Sequence, residues 1–201
     1  MVRANQGERE VTIHKFNPEN RHKLDNSERR ELLPPDETLY RLGLQKGDIM
    51  ADIGCGIGYF TLPAAKIVGS QGKVYGMDTA AEMIEDAQGK IGHLTNVELL
   101  QVQESDFILD NQTISYAFIC LVVHEVEDRL VFFREVARLL QPTGKIVIIE
   151  WVKKNSVMGP PMEHRLQGDE VADLLRLCSF NNIQQIDVNS EMYVVIGERE
   201  K

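Results

Sequence analysis

A chain of 201 residues, 43% hydrophobic and 26% charged, is long enough for one domain with a full core and cramped for two. No apolar run is long enough to span a bilayer and the charged amino terminus lacks the core of a signal peptide, which predicts a cytoplasmic protein without a membrane partner. The formal net charge is −9; residues 1–31 carry seven Lys/Arg and six Asp/Glu, so the remainder is −10, and an acidic body without a basic stripe speaks against nucleic acid as a partner.

Residues 1–35 show no clean period. Val11-Thr12-Ile13 is a weak strand signal, and Pro34-Pro35 marks a boundary, so 1–35 is expected to be an N-terminal arm and 36–201 the domain. Such an arm either covers a pocket or is a solvated tail with one anchoring turn. Asp36 is placed to cap a short helix running through Leu42, with Gly43 as its stop. Gly47-Asp48 then turns into the first strand.

The stretch 49–61 begins as a short apolar strand and passes through Gly54, Gly56 and Gly58. It then enters a helical pattern from Tyr59 to Val68, in which Pro63 suits the first turn. A strand that turns through glycines into a helix presents backbone N–H groups and an open helix N-terminus to a ligand. The dinucleotide fingerprint G-x-G-x-x-G is not matched, because the third glycine comes one residue early and Tyr59 stands where glycine is required. Asp52, two residues before Gly54, would repel a pyrophosphate. It suits a cationic or hydroxyl-bearing ligand.

Strand two is expected over 73–78, ending in Asp78 about twenty residues past the glycines, the distance at which an acid takes ribose hydroxyls in doubly wound folds. A cap for a helix over 80–89 is compatible with the same residue, but Asp52 and the glycines upstream favour ribose binding. Met83 in that helix lies against an adenine or belongs to the core. Strand three covers 97–101. Strand four, 114–120, is apolar throughout, as at the centre of a sheet covered on both faces. A helix carrying Leu130, Phe133, Val136, Ala137 and Leu140 follows, closed by 141–144, and strand five spans 145–151. A loop containing Gly159-Pro160-Pro161 and His164-Arg165 precedes a helix over 169–177 and strands over 183–188 and 193–196. Alternating strands and helices with a closing hairpin predict an α/β fold, a three-layer α/β/α sandwich.

The run Asp52-Ile53-Gly54-Cys55-Gly56-Ile57-Gly58 resembles motif I of the class I S-adenosylmethionine-dependent methyltransferases. Over about 36–198, and most closely at His124-Glu125 and Glu150-Trp151, the chain resembles the type 11, ubiquinone/menaquinone-biosynthesis-methyltransferase-like family. The likeness extends weakly into the arm at His14-Lys15-Phe16-Asn17 and Lys23-Leu24-Asp25. It implies a seven-stranded Rossmann-like methyltransferase sheet in the order 3-2-1-4-5-7-6 with the last strand antiparallel, and S-adenosyl-L-methionine as cofactor. Asp52, Gly54, Gly56 and Gly58 would surround its amino-acid end, with Tyr59 and Cys120 nearby, and Asp78 its ribose. The family carries an acid after strand three for the adenine amino group; here Gln103 and Glu104 stand there, followed by Ser105-Asp106. Gln103, Glu104 and Asp106 are therefore alternatives for that contact.

The resemblance implies methyl transfer to a small-molecule acceptor, with O- or C-methylation favoured. No Asn/Asp-Pro-Pro-Tyr follows strand four, against methylation of planar amino groups. Strand four ends in Cys120 rather than an aspartate, against a magnesium-dependent enzyme, so no metal is expected. Cys55, Cys120 and Cys178 are scattered without a C-x-x-C, against a disulfide framework, a zinc site or a thiolate relay, and in keeping with a reducing compartment. His124, after strand four, is a candidate general base oriented by Glu150 at the end of strand five, with Trp151, His164 and Arg165 enclosing the acceptor. Glu125 is expected to point away from its chain neighbour. The bland alternative is that His124 caps the next helix or packs beneath the loop. A different class of reading is an S-adenosylmethionine-binding regulator or subunit without transferase activity.

Overall fold

The computed structural model describes residues 15–91 and 93–201; Val11-Thr12-Ile13 and His14 lie outside them. Seven strands form one sheet: β1 (Ile49–Ile53), β2 (Lys73–Asp78), β3 (Val97–Gln101), β4 (Ile114–Cys120), β5 (Leu140–Trp151), β6 (Phe180–Asp187) and β7 (Met192–Arg199). Their order is β3-β2-β1-β4-β5-β7-β6, with β1 to β5 parallel and β7 antiparallel to both its neighbours, as the family resemblance implies. The chain winds one way from β1 to β3 and the other from β4 onward. This reversal leaves a crevice beyond the carboxyl ends of β1 and β4, where open α/β sheets bind ligands.

Period-two alternation divides the core. Along β4, Tyr116, Phe118 and Cys120 join a buried cluster with Phe60, Ala64 and Val68 of the α3 region (α3, Thr61–Val68), while Ala117 and Ile119 join Phe133, Val136 and Val171 on the opposite face. The latter come from α5 (Arg129–Leu139) and α6 (Gly168–Leu177), and α4 (Ala81–Ile91) packs on β2 and β3. Helix on sheet on helix is the layer solution that buries both faces of such a strand. Among the described residues, no helix is long and apolar enough to cross a membrane.

Several boundaries differ from expectation for identifiable reasons. The helix before β1, α2, covers Pro35–Arg41 with Pro34 at its N-cap, so Asp36 sits in the first turn rather than capping it. Proline at the first helical position, with its φ already helical, sets the start two residues early. Tyr59 and Phe60 lie in the turn ahead of α3, and Phe60 packs on Phe118 with ring centroids 4.8 Å apart. Strand β5 starts at Leu140, which pairs with Ile114 across a bulge.

The arm is held by contacts distant in sequence. Tyr59 donates its hydroxyl to the Leu33 carbonyl at 2.9 Å, Asn189 donates to the Leu32 carbonyl at 2.9 Å, and Leu33 is fully buried. The short helix α1 (Ser27–Leu32) starts at Asn26, whose side chain accepts from the Arg29 N–H at 2.8 Å.

Candidate functional site

The glycine loop is pinned to its neighbours by the backbone. Gly54 and Cys55 both donate to the Met77 carbonyl at 2.8 Å, which ties the loop to the end of β2. Gly54, Gly56 and Gly58 have φ of +75°, +53° and +82°, a region that glycine enters without strain. A Cβ at Gly54 would stand 2.3 Å from Val122 Cγ2, and one at Gly58 would stand 2.6 Å from Ile91 Cδ1. Beside Gly56 lies Leu24 of the arm, 3.3 Å from where a Cβ would be.

Two carboxylates flank this loop. Asp52 is 2% exposed and accepts from the Thr61 hydroxyl at 2.6 Å, so the first residue of α3 holds the acid next to the end of β1. Burial pushes the Asp52 carboxyl up to about 7, against the Thr61 hydrogen bond, with the nearby Asp78 charge adding to the rise. Asp78 accepts from the Gly56 N–H at 2.8 Å and from the Ala80 N–H at 3.0 Å, so it clasps the glycine loop and the approach to α4 at once. Burial raises its pKa and those N–H donors oppose the rise. Each oxygen keeps a further lone pair, enough for a vicinal diol.

The adenine candidates separate. Glu104 is engaged on both oxygens, accepting from the Glu127 N–H at 2.9 Å and from Lys15 of the arm at 3.1 Å. Gln103 and Asp106 are joined through their backbones and their side chains are exposed. Met83 is buried on α4, and Cys120 ends β4 with burial pushing its thiol up to about 12, too high for thiolate chemistry.

Beyond β4 the residues 123–125 form a single tight 3-10 turn. His124 Nδ1 lies 2.9 and 3.1 Å from the two oxygens of Glu150, which is wholly buried as the penultimate residue of β5. Its Nε2 lies 3.5 Å from Glu125 Oε1. Glu125 therefore does reach its chain neighbour; successive side chains of a 3-10 turn stand about 120° apart, so the contact comes from the length and flexibility of the glutamate rather than from the turn. Glu125 also accepts from the Phe16 N–H of the arm at 2.9 Å. Burial works to lower the His124 pKa, but the two glutamates outweigh it and hold it at about 9. At neutral pH this is an imidazolium between two carboxylates.

Trp151 is buried at the end of β5. Arg165, 1% exposed, turns its charge inward: Nε donates to the Pro160 carbonyl at 2.9 Å, Nη1 to that of Val152 at 3.0 Å, and Nη2 to that of Met158. It fastens the loop after β5 and stacks 5.6 Å over Trp151, and His164 lies in the turn just before it. Sequence reasoning missed Thr61, Val122 and Arg29. Thr61, nine residues past Asp52, offered a signal as a hydroxyl in the first turn of the following helix; Arg29 had none, since its place depends on how the arm folds back.

A buried acid beside an uncapped helix start, an acid with free lone pairs next to a glycine loop, and an apolar floor together fit an adenosine-bearing amino acid. Comparison with known proteins agrees with that chemistry. A type 11 methyltransferase-domain family model matches residues 51–148. The crystal structure of an S-adenosylmethionine-dependent methyltransferase from Aquifex aeolicus is 32% identical, covers 92% of this chain and 99% of its own, and superposes with a TM-score of 0.87. Demethylmenaquinone methyltransferase of Geobacillus sp. (strain WCH70) is 31% identical over 124 residues, 61% of this chain and 53% of that protein. Its counterpart from Staphylococcus aureus (strain MRSA252) is 32% identical over 109 residues, 54% of this chain and 45% of that one. The chain thus spans about half the length of the curated relatives it matches.

Proposed function

Because the chain belongs to the type 11 class I S-adenosylmethionine-dependent methyltransferases, we propose that it methylates an oxygen or carbon nucleophile on a small-molecule acceptor. The observation that carries this reading is the convergence of Asp52, Asp78 and the His124–Glu150 pair on the carboxyl edge of one sheet. When bound, the cofactor supplies a methyl group already activated on sulfonium, so the protein's share is alignment and exclusion of water. Asp52 receives the ammonium, Asp78 the ribose hydroxyls, and the glycine loop lets the backbone come close. Glu150 holds His124 through Nδ1, and Nε2, which faces Glu125, takes a proton from the acceptor in the fraction of molecules whose imidazole is neutral. The arm roofs the site, with Leu24 over Gly56, Phe16 on Glu125 and Lys15 on Glu104.

The acceptor is small and is not nucleic acid: the domain is strongly acidic, and the curated relatives are named for demethylmenaquinone. A second reading, a cofactor-binding protein without turnover, draws on Glu104, both of whose oxygens are taken by Lys15 and the Glu127 N–H. Release of S-adenosylhomocysteine across a panel of phenols, quinols and activated-carbon acceptors separates the two. Turnover with at least one acceptor is expected. Tight cofactor binding with no turnover across the panel favours the second reading.

A further inference from the structure

The arm carries a cation that, among the described residues, is not paired with any carboxylate. Arg29, on α1, lays its guanidinium 4.6 Å over the ring of Tyr59, the residue after Gly58. Its Nε is buried without a hydrogen-bond partner, and among the described residues no carboxylate lies within ion-pair distance of it. Its neighbours in the arm differ, since Arg21 pairs with Asp86 and Arg30 with Asp25. A buried donor without an acceptor is costly, and more so on a charged group.

Arg29 also sits where its charge is felt in the site. It is among the groups that oppose the burial-driven rise of both the Asp52 carboxyl and the Cys120 thiol, and these residues lie at the ends of adjacent strands. Asp52 already holds the Thr61 hydroxyl and does not lie within ion-pair distance of Arg29. Beside the glycine loop therefore stand a carboxyl and, over Tyr59, a guanidinium that touches the Cys120 thiol but, among the described residues, meets no carboxylate. That pair of charges is the complement of a zwitterionic amino acid.

We propose that Arg29 receives the carboxylate of the cofactor's amino-acid end, so that the arm supplies part of the cofactor site. This rests on the S-adenosylmethionine reading above. A guanidinium takes a carboxylate through two parallel hydrogen bonds, which a lysine ammonium reproduces only as a point charge. Tyr59 positions the fork by stacking beneath it and fixes the end of α1 through the Leu33 carbonyl. Binding of the cofactor and docking of the arm are then coupled.

The test is calorimetric and needs no turnover. Wild type, Arg29→Gln and Arg29→Lys are titrated with S-adenosylmethionine and with its decarboxylated counterpart, which keeps the adenosine, sulfonium and ammonium. Arg29→Gln is expected to weaken S-adenosylmethionine roughly 10- to 100-fold and the decarboxylated ligand little, with Arg29→Lys between. An equal loss for both ligands makes Arg29 a mere prop for the arm and overturns the proposal, as does unchanged affinity for S-adenosylmethionine. Should Arg29→Gln fail to fold, the ratio of the two affinities in Arg29→Lys decides on the same terms. Wild type that binds neither ligand overturns the cofactor reading itself, and this proposal with it.

Discussion

His124 Nδ1 lies 2.9 Å from Glu150 Oε2, with the glutamate wholly buried and the histidine 5% exposed. A buried ion pair ties protonation to folding. The ordinary histidine pKa is about 6.5 and the folded value is about 9, raised by Glu150 and Glu125 against the effect of burial. The stabilisation is therefore complete below pH about 6.5, falls between about 6.5 and 9, and is gone above. Urea unfolding should show a loss on the order of 3 kcal/mol across that window in the wild type. His124→Ala should remove the slope and, by stranding Glu150, cost about 3–5 kcal/mol at pH 6. Parallel pH slopes in the two proteins would contradict this.

The same pair sets the pH dependence of turnover. A base that is an imidazolium at pH 7 acts only through its neutral fraction, which grows about tenfold per pH unit below its pKa. The single-turnover rate is expected to climb with pH and level off near 9, with the climb missing in His124→Ala. An acceptor that ionises by itself would mimic the climb in the wild type but would leave it intact in the mutant. A mutant that keeps both rate and profile makes His124 structural.

Asp52 gives cofactor binding a pH dependence of its own. Burial, with the Asp78 charge adding, puts its carboxyl near 7, so about half the molecules hold its proton at neutral pH before an ammonium arrives. A ligand cation favours the carboxylate, so binding releases protons, and affinity should rise with pH up to about 7 and then flatten. Titrations in two buffers of different ionisation heat measure the release directly. Asp52→Asn should abolish it; equal heats in both buffers with the wild type at pH 6.5 would remove Asp52 from the ammonium's site.

Asp78→Ala is expected to lower cofactor affinity roughly 10- to 100-fold, the worth of charge-assisted hydrogen bonds to two hydroxyls. The carboxylate also holds the Gly56 and Ala80 N–H groups, so Asp78→Asn, which keeps one acceptor oxygen, should retain more of the loop and fall less. Calorimetry with S-adenosylhomocysteine checks the order. Unchanged affinity in Asp78→Ala sinks the ribose assignment.

What was legible in the sequence follows from which forces are local. The apolar run of β4 and its alternate burial, the glycines at Gly54, Gly56 and Gly58, and the acids at the ends of β1 and β2 are local patterns, and the sheet order came with the family resemblance. The arm was opaque because its anchors, Tyr59 to Leu33 and Asn189 to Leu32, span 26 and 157 residues, and no periodicity encodes such contacts. Asp36 misled because a capping residue type was weighed above proline's preset φ. Arg165 misled for a related reason: a charged residue in a loop suggests contact with a ligand, whereas burial and the carbonyls of Val152, Met158 and Pro160 are visible only in three dimensions.

Gly54 tests how closely the turn after β4 closes on the glycine loop. Its φ of +75° is costly for any residue with a Cβ, by about 1–2 kcal/mol, and the Val122 side chain stands 2.3 Å from where that Cβ would be. Overpacking of this kind costs about 1–3 kcal/mol, so Gly54→Ala should destabilise by about 2–5 kcal/mol in chemical unfolding. Only part of the loss comes from Val122. Val122→Ala removes both γ carbons and leaves Cβ at 3.4 Å, an ordinary contact, so adding it to Gly54→Ala should return the overpacking share but not the backbone share. The double-mutant cycle is therefore expected to show about 1–3 kcal/mol of favourable coupling. Strict additivity would mean that Val122 is free to swing aside and that the loop is shaped by backbone conformation alone.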